Sequence, residues 1–260
     1  MHRYSYYKTA ACTLNVSIGD PQANKEEILK CIQELDSDTQ LVVFPELCIT
    51  GYTCQDLFYE HTLLNSAKQV LFEIVEELPE NLVTVLGLPL EIENKLYNCA
   101  AICFNHDILG IQVKTYIPSY NEFYETRWFS SASELKENTT FTYKNKKVPV
   151  SNHIVFKDTT TSACLGIEIC EDLWVTIPVS STHALAGANV LCNLSASNEI
   201  ISKANYRRNL VKDQSAKCYA GYVYASAGPT ESSSDLVFSG HNLICENGAI
   251  LSETKTDKII

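Results

Sequence analysis

An α/β fold is the class that this sequence predicts. Strand-like apolar runs alternate along the chain with segments whose apolar residues are spaced for one buried helix face. The chain has 260 residues, of which 45% are hydrophobic, so it can bury one large core. Because no Pro-, Gly- or Ser-rich linker divides the sequence, we expect residues 1–260 to form a single domain.

In the first half, two helices are expected between strands. Residues 21–35 predict a helix, because Asp20 suits the capping position and Pro21 suits the first helical position. Residues 61–78 predict a second helix, whose buried face comprises Leu64, Ala67, Val70, Leu71, Ile74, Val75 and Leu78. Strands are predicted at residues 9–16, 41–44, 82–88, 96–104 and 108–114.

The second half repeats the alternation after a long irregular segment. Residues 115–138 lack a clear period and are rich in aromatic side chains, which is typical of a functional loop. Helices are predicted at residues 174–186 and 203–219. Strands are predicted at residues 162–169, 189–194, 222–225, 236–239, 242–245 and 250–252.

Three predicted strands end in three different reactive groups: Glu46, Lys114 and Cys170. Hydrolysis of an amide benefits from a thiolate nucleophile, a group that carries a proton to the leaving nitrogen, and positive charge near the oxyanion. We therefore expect Cys170 to be the nucleophile and Glu46 the general base and later acid. Lys114, with the backbone N–H of Glu171, is expected to form the oxyanion site, and Lys114 is also expected to lower the pKa of the thiol.

Each of these residues, taken alone, also fits a structural role. Cys170 is one of 11 cysteines, most of which lie in apolar runs. Glu46 fits a loop carboxylate or a helix cap, and Lys114 fits a solvated charge at a strand end. Only the combination of the three groups favours a catalytic site.

Three longer runs contain these residues: FPELCITGY at 44–52, KTYIPSYNEFYETRWF at 114–129 and GIEICEDLW at 166–174. Together they resemble the nitrilase (carbon–nitrogen hydrolase) superfamily, and within it the glutaminase domains of glutamine-dependent NAD synthetases. The resemblance extends over nearly the whole chain in the right order. It implies a four-layer α-β-β-α sandwich that hydrolyses the side-chain amide of glutamine through a cysteine thioester.

The resemblance also implies a glutamine-binding site. Its walls would be Tyr52, Tyr120, Phe123, Glu171 and Trp174. Glu171 and Tyr120 would address the α-amino group, whereas Ser197 and Lys203 would hold the α-carboxylate. A carboxylate for an ammonium and a cation for a carboxylate suit a free amino acid. From the residues alone, Trp174 and Phe123 also fit core positions. Ser197 also fits a turn or cap, and Lys203 fits a surface charge. Lys203 stands where some relatives carry arginine, which would hold a carboxylate in a more directional way.

A second glutamate, Glu125, matches a position that many superfamily members fill. The resemblance implies that it orients Lys114 or the substrate. From the residues alone, Glu125 also fits a surface ion pair with Arg127.

The chain is shorter than glutamine-dependent NAD synthetases and lacks an ATP-pyrophosphatase signature. We therefore expect it to be the glutaminase part of a larger chain, with ATP and Mg bound only by the synthetase domain and no cofactor in residues 1–260. The aromatic loop at 115–138 offers apolar surface for that domain or a second subunit, so a homo-oligomer is expected.

Composition excludes several other partners. The net charge of −11 disfavours nucleic acids and anionic membranes. No Cys-x-x-Cys pair or Cys/His cluster has zinc-ligand spacing, so no metal is expected. The odd number of cysteines and the lack of an apolar signal core near the N-terminus or of a membrane-spanning run indicate a reducing cytoplasm.

Three other functions are weighed against the glutaminase. A free-standing amidase or carbamoylase of the same superfamily would use the same three groups on another small amide. A noncatalytic binding module is disfavoured because all three positions are filled. A papain-like enzyme would need a histidine partner, and none of His153, His183 and His241 lies in a suitable motif.

Overall fold

Two β-sheets lie face to face in the structure, a computed structural model that describes residues 6–254. The strands of the first sheet are β1 (Thr9–Ala11), β2 (Leu41–Val43), β3 (Val83–Ile92), β4 (Lys95–Phe104), β5 (Asp107–Val113), β6 (Thr140–Tyr143) and β7 (Lys146–Ser151). The strands of the second sheet are β8 (Val155–Lys157), β9 (Cys164–Ile169), β10 (Val190–Ser195), β11 (Gly221–Ser226), β12 (Leu243–Glu246) and β13 (Ala249–Glu253). The first sheet has the order β1-β2-β3-β4-β5-β7-β6, and the second has the order β13-β12-β11-β10-β9-β8.

Helices cover the outer face of each sheet. They are α1 (Pro21–Gln33), α2 (His61–Glu77), α3 (Val179–Leu185) and α4 (Lys203–Cys218). α1 and α2 share a core with the first sheet, whereas α3 packs on β9 and β10, and α4 on β11 and β12. Between the sheets lies a separate core, in which Val85 and Ile102 from one sheet meet Ile167 and Val223 from the other. The predicted four-layer α-β-β-α sandwich is confirmed.

The two helices on the first sheet follow their predicted patterns closely. Asp20 accepts a hydrogen bond from the backbone N–H of Ala23 at 3.1 Å, and Pro21 is the first residue of α1. The buried face of α2 is as predicted except at its start, where Leu63 is buried and Leu64 is only half-buried. The helical spacing of the buried residues is therefore as predicted, but the buried face begins at Leu63 and not at Leu64.

Several predicted elements differ from the structure. β1 ends at Ala11, not at residue 16. The helix predicted at 174–186 is confined to α3, because Pro178 disfavours helical backbone in the residue before it. The strand predicted at 236–239 is wrong: Phe238 makes only an isolated bridge with Asn198. Strands β6, β7 and β8 lie in a stretch that carried no prediction, because each contains too few apolar residues to show a period.

Strand direction brings the predicted reactive groups to one end of the sandwich. β2 and β3 are parallel, and β4 is antiparallel to both β3 and β5, so β2 and β5 run in the same direction. Glu46 and Lys114 follow the carboxyl ends of β2 and β5. Cys170 follows β9, and the turn that it begins is hydrogen-bonded to Thr115, the residue after Lys114.

Candidate active site

Cys170 occupies the first position after β9 and begins the short 3-10 helix Cys170–Leu173. Its φ angle is 43°, a left-handed conformation that residues with a Cβ seldom adopt. Asp172 holds this turn, because its carboxylate accepts hydrogen bonds from the backbone N–H groups of Ile169 at 3.1 Å, Thr115 at 3.0 Å and Tyr116 at 2.9 Å. The thiol is thus held at the end of a buried strand by a strained turn that a buried carboxylate stabilises.

The ammonium of Lys114 lies between two carboxylates. Its Nζ is 2.6 Å from Oε1 of Glu46 and 2.8 Å from each carboxylate oxygen of Glu125. The side chains of Lys114 and Glu46 have no exposed surface, and that of Glu125 is 3% exposed. Because a buried charge is costly unless it is paired, each of these groups depends on the others.

Glu46 also joins the two sheets. Its Oε1 accepts a hydrogen bond from Nδ2 of Asn98 at 2.7 Å, and Asn98 lies on β4 of the first sheet. Its Oε2 accepts a hydrogen bond from the backbone N–H of Ala196 at 2.9 Å, and Ala196 follows β10 of the second sheet. With Lys114 as a third donor, both carboxylate oxygens are oriented.

Burial and neighbouring charges act on the Cys170 thiol in opposite directions. Burial raises the pKa of Cys170, the charge of Glu46 raises it further, and Lys114 lowers it by less than these two together. Lys114 therefore acts on the thiol pKa in the expected direction, but the net shift of that pKa is upward. A raised pKa favours the protonated form of the thiol.

Burial and neighbouring charges also determine the charge of Lys114. Burial alone would lower the pKa of Lys114, but the charges of Glu125 and Glu46 raise it well above its usual range. Burial raises the pKa of Glu125, and Glu46 adds to this rise while Lys114 opposes it. The site thus holds one firmly protonated cation beside a carboxyl group that ionises less readily than usual.

The structural roles considered for Lys114 and Glu125, and the helix-capping role considered for Glu46, do not match these positions. Lys114 is buried, not solvated. Arg127 pairs with Asp56 at 2.7 Å on the surface, and Glu125 faces Lys114 instead. The backbone N–H that Glu46 binds belongs to Ala196, which follows a strand and does not begin a helix.

Five of the predicted substrate-binding residues meet near the site. The hydroxyl of Tyr120 donates to the Glu171 carboxylate, at 3.0 Å and 2.9 Å from its two oxygens. Lys203 Nζ lies 5.1 Å from the ring centre of Trp174. It also lies 5.7 Å from that of Phe123, which is buried. The Glu171 carboxylate and the Lys203 ammonium thus each lie beside aromatic side chains.

Tyr52 and Ser197 are engaged by internal partners. The hydroxyl of Tyr52 donates to Oε1 of Glu125 at 2.8 Å. The hydroxyl oxygen of Ser197, a residue that is 2% exposed, accepts a hydrogen bond from Nη2 of Arg207 at 3.1 Å. Tyr52 also lines a cavity of about 30 Å³ beside Glu125, together with Phe123 and Leu236.

Sequence reasoning missed four residues of this region: Asn98, Asp172, Asn198 and Arg207. Asn98 is a polar residue inside an apolar strand, which is a usable signal. Asp172 lies in the quoted run at 166–174 but was given no role. Arg207 gave no signal, because α4 is polar along most of its length and does not show which residues point inward. Asn198 gave none because it lies in an irregular segment between β10 and α4.

No group of three or more His, Cys, Asp or Glu side chains in residues 6–254 could hold a metal ion. No helix in the same range is long and apolar enough to cross a membrane.

Comparison with known proteins places the chain among hydrolases. The family model described as carbon-nitrogen hydrolase matches residues 8–258. The glutamine-dependent NAD(+) synthetase of Mycobacterium tuberculosis strain H37Rv is 38% identical over 257 residues, which are 98% of this chain and 38% of that protein. The human protein of the same name is 30% identical over 255 residues, 94% of this chain and 35% of the relative.

Solved structures give the same result. A glutamine-dependent NAD(+) synthetase from Cytophaga hutchinsonii superposes with a TM-score of 0.83 at 30% identity, covering 95% of this chain and 40% of that one. An amidase of the nitrilase superfamily from Nesterenkonia superposes with a TM-score of 0.73 at 17% identity, covering 98% of this chain and 88% of the amidase, which shows a shared fold.

The two-sheet sandwich is thus that of the nitrilase superfamily. The chain belongs to the carbon-nitrogen hydrolase family. It spans about 38% of the length of the mycobacterial relatives.

Proposed function

We propose that this chain hydrolyses the side-chain amide of glutamine, with Cys170 as nucleophile. The observation that carries the proposal is the buried cluster in which Lys114 bridges Glu46 and Glu125 close to the strand-end thiol. Such a cluster supplies a proton acceptor and a fixed positive charge in a site where water is excluded. The names of the relatives, which are glutamine-dependent synthetases, support glutamine as the amide.

Attack begins with transfer of the Cys170 proton to Glu46 as the sulfur bonds to the amide carbon. The carbonyl oxygen becomes an oxyanion, stabilised by Lys114 and the backbone N–H of Glu171. Glu46 then returns the proton to the amide nitrogen, the carbon–nitrogen bond breaks, and ammonia leaves with a thioester on Cys170. Water that gives a proton to Glu46 attacks the thioester, and the proton returns to the Cys170 sulfur as glutamate departs.

Glu125 acts through Lys114 in this scheme. Its two oxygens and Oε1 of Glu46 accept all the hydrogen bonds that the ammonium makes in the structure. Lys114 can therefore redirect one N–H to the oxyanion while its other hydrogen bonds keep the ammonium in position. Tyr52 keeps Glu125 in position through its hydroxyl.

Selectivity for glutamine depends on charges at the two ends of the site. We assign the α-ammonium to Glu171 with Tyr120, and the α-carboxylate to Lys203 with Ser197. Burial and the charge of Arg207 lower the pKa of Lys203, while neighbouring negative groups oppose this. A bound carboxylate would offset that cost, which favours an anionic partner for Lys203.

The ammonia is proposed to serve NAD synthesis by an ATP- and Mg-dependent synthetase domain in a longer protein. The basis is the names of the relatives, of which this chain matches just over a third. The oligomeric, cytoplasmic form expected from the sequence belongs to the same proposal.

The test is intact-mass analysis after exposure to diazo-oxo-norleucine, an electrophilic analogue of glutamine. We expect one adduct on the unmodified chain and none on Cys170→Ala. As a matched control, Cys164→Ala removes the thiol at the start of β9, the strand that leads to Cys170, and it should leave the adduct unchanged. Release of glutamate from glutamine should follow the same pattern; release of ammonia from small amides but not from glutamine would favour a free-standing amidase.

A further inference from the structure

The guanidinium of Arg207 is fully buried, although arginine is among the residues least often found inside proteins. It lies on α4, one turn beyond Lys203. Its ion-pair partner is Glu199, at 3.0 Å from Nη1. Neither the sequence motifs nor the proposed chemistry gives this cation a role.

The hydrogen bonds of Arg207 converge on three consecutive residues. Nη2 donates to the hydroxyl oxygen of Ser197 at 3.1 Å and to the backbone carbonyl of Asn198 at 3.0 Å. Nη1 donates to the carboxylate of Glu199 at 3.0 Å. The planar fork of a guanidinium can satisfy all of these acceptors at once, which the single ammonium of a lysine cannot.

The segment held in this way reaches both the reactive cluster and the cation of the site. It continues from Ala196, whose N–H binds Glu46. The side chain of Asn198 accepts a hydrogen bond from Lys203 and donates one to Glu122. Holding Asn198 thus also holds the ammonium of Lys203.

Arg207 is itself held by a hydrogen-bonded chain through His241 and Glu253. Its Nη1 donates to Nδ1 of His241 at 2.9 Å, so the ring proton of His241 is on Nε2. That Nε2 donates to Oε1 of Glu253 at 2.6 Å. Burial lowers the pKa of His241, which keeps the ring neutral and able to accept from Arg207.

We propose that Arg207 is a positioning residue that sets the carboxylate-binding end of the glutamine site. It contacts neither the nucleophile nor the base, and it acts through Ser197 and Asn198. The proposal rests on the proposed function, because it assumes that this end of the site receives the α-carboxylate. It predicts that loss of the fork weakens binding of amino acids but not the reactivity of Cys170.

The test compares two electrophiles on Arg207→Lys, which keeps the charge and loses the fork. Inactivation by diazo-oxo-norleucine, an amino acid, should need about tenfold more reagent for half-saturation. Alkylation of Cys170 by iodoacetamide, which has no carboxylate, should proceed at an unchanged rate.

The matched control is Lys217→Arg, which keeps the charge at a position on the same helix. Lys217 is exposed and lies near the C-terminal end of α4, away from Arg207, so both rates should stay as in the unmodified chain. An unchanged half-saturation in Arg207→Lys, or equal losses with both reagents, would overturn the inference. Labelling of the unmodified chain by iodoacetamide but not by diazo-oxo-norleucine would instead count against glutamine as substrate.

Discussion

Lys114 Nζ lies 2.6 Å from Glu46 Oε1, and neither side chain has any exposed surface. The same nitrogen pairs with Glu125 at 2.8 Å. One cation is therefore shared by two buried carboxyl groups, whose charges raise the pKa of the thiol while Lys114 lowers it. These opposing charges govern how substitutions should affect both stability and reactivity.

Replacing Lys114 by methionine should destabilise the fold and abolish hydrolysis. Without the ammonium, two carboxylates remain buried and unpaired, at a cost of about 3–5 kcal/mol in the free energy of unfolding. Loss of oxyanion stabilisation should reduce glutamate release by about 10²–10³. Urea titration and steady-state rates measure both effects. The control is Lys136→Met, because Lys136 is 77% exposed and pairs with Glu93 on the surface; wild-type values in Lys114→Met would contradict the assignment.

Replacing Glu46 by glutamine should stop turnover while making the thiol easier to ionise. Proton transfer is lost, so hydrolysis should fall by about 10²–10⁴. Because the charge of Glu46 raises the pKa of Cys170, its removal should move the pH profile of iodoacetamide alkylation to lower pH. Lys114→Met should move the same profile to higher pH. Shifts in the same direction for both variants would argue against this electrostatic account.

Replacing Asp172 by asparagine should loosen the turn that presents the thiol. An amide retains one acceptor for Thr115 and Tyr116, but its NH₂ group cannot accept from Ile169. We expect a loss of about 1–3 kcal/mol in the free energy of unfolding and a lower kcat. The control is Asp158→Asn in an exposed turn outside the site, which should leave kcat unchanged. A kcat equal to that of the unmodified chain in Asp172→Asn would show that the turn holds without this carboxylate.

Acid should destabilise the protein through His183. Burial lowers the pKa of His183 from 6.5 to about 4, so the folded state keeps the ring neutral while the unfolded chain takes up a proton. The stability present above pH 6.5 is therefore lost as pH falls towards 4, by about 3 kcal/mol in all. In His183→Gln the decline between pH 6.5 and 4 should be shallower. His61→Gln, at a side chain that is 80% exposed, should keep the steep decline; parallel curves for the two variants would refute the assignment.

The strand ends were predictable because their signal is local. Glu46, Lys114 and Cys170 each follow a short apolar run, and parallel strands bring such ends together. The sign of the net pKa shift at Cys170 was not predictable, because it depends on burial and on distances that no local pattern contains. Arg207 was missed for a related reason: its partners lie on the 197–199 segment and at His241, and only the packed sandwich brings them together.

The carboxylate of Glu46 accepts hydrogen bonds from Asn98 in one sheet and from Ala196 beyond the other. The orientation of the Glu46 carboxylate therefore depends on the distance between the two sheets. The apolar layer between the sheets sets that distance. Ile102 and Val223 belong to that layer, and neither belongs to the reactive cluster. A smaller side chain at such a position would change the packing that sets the distance between the two donors of Glu46. A loss of turnover after a substitution in this layer would then reflect a changed distance between the sheets, because every reactive group would still be present.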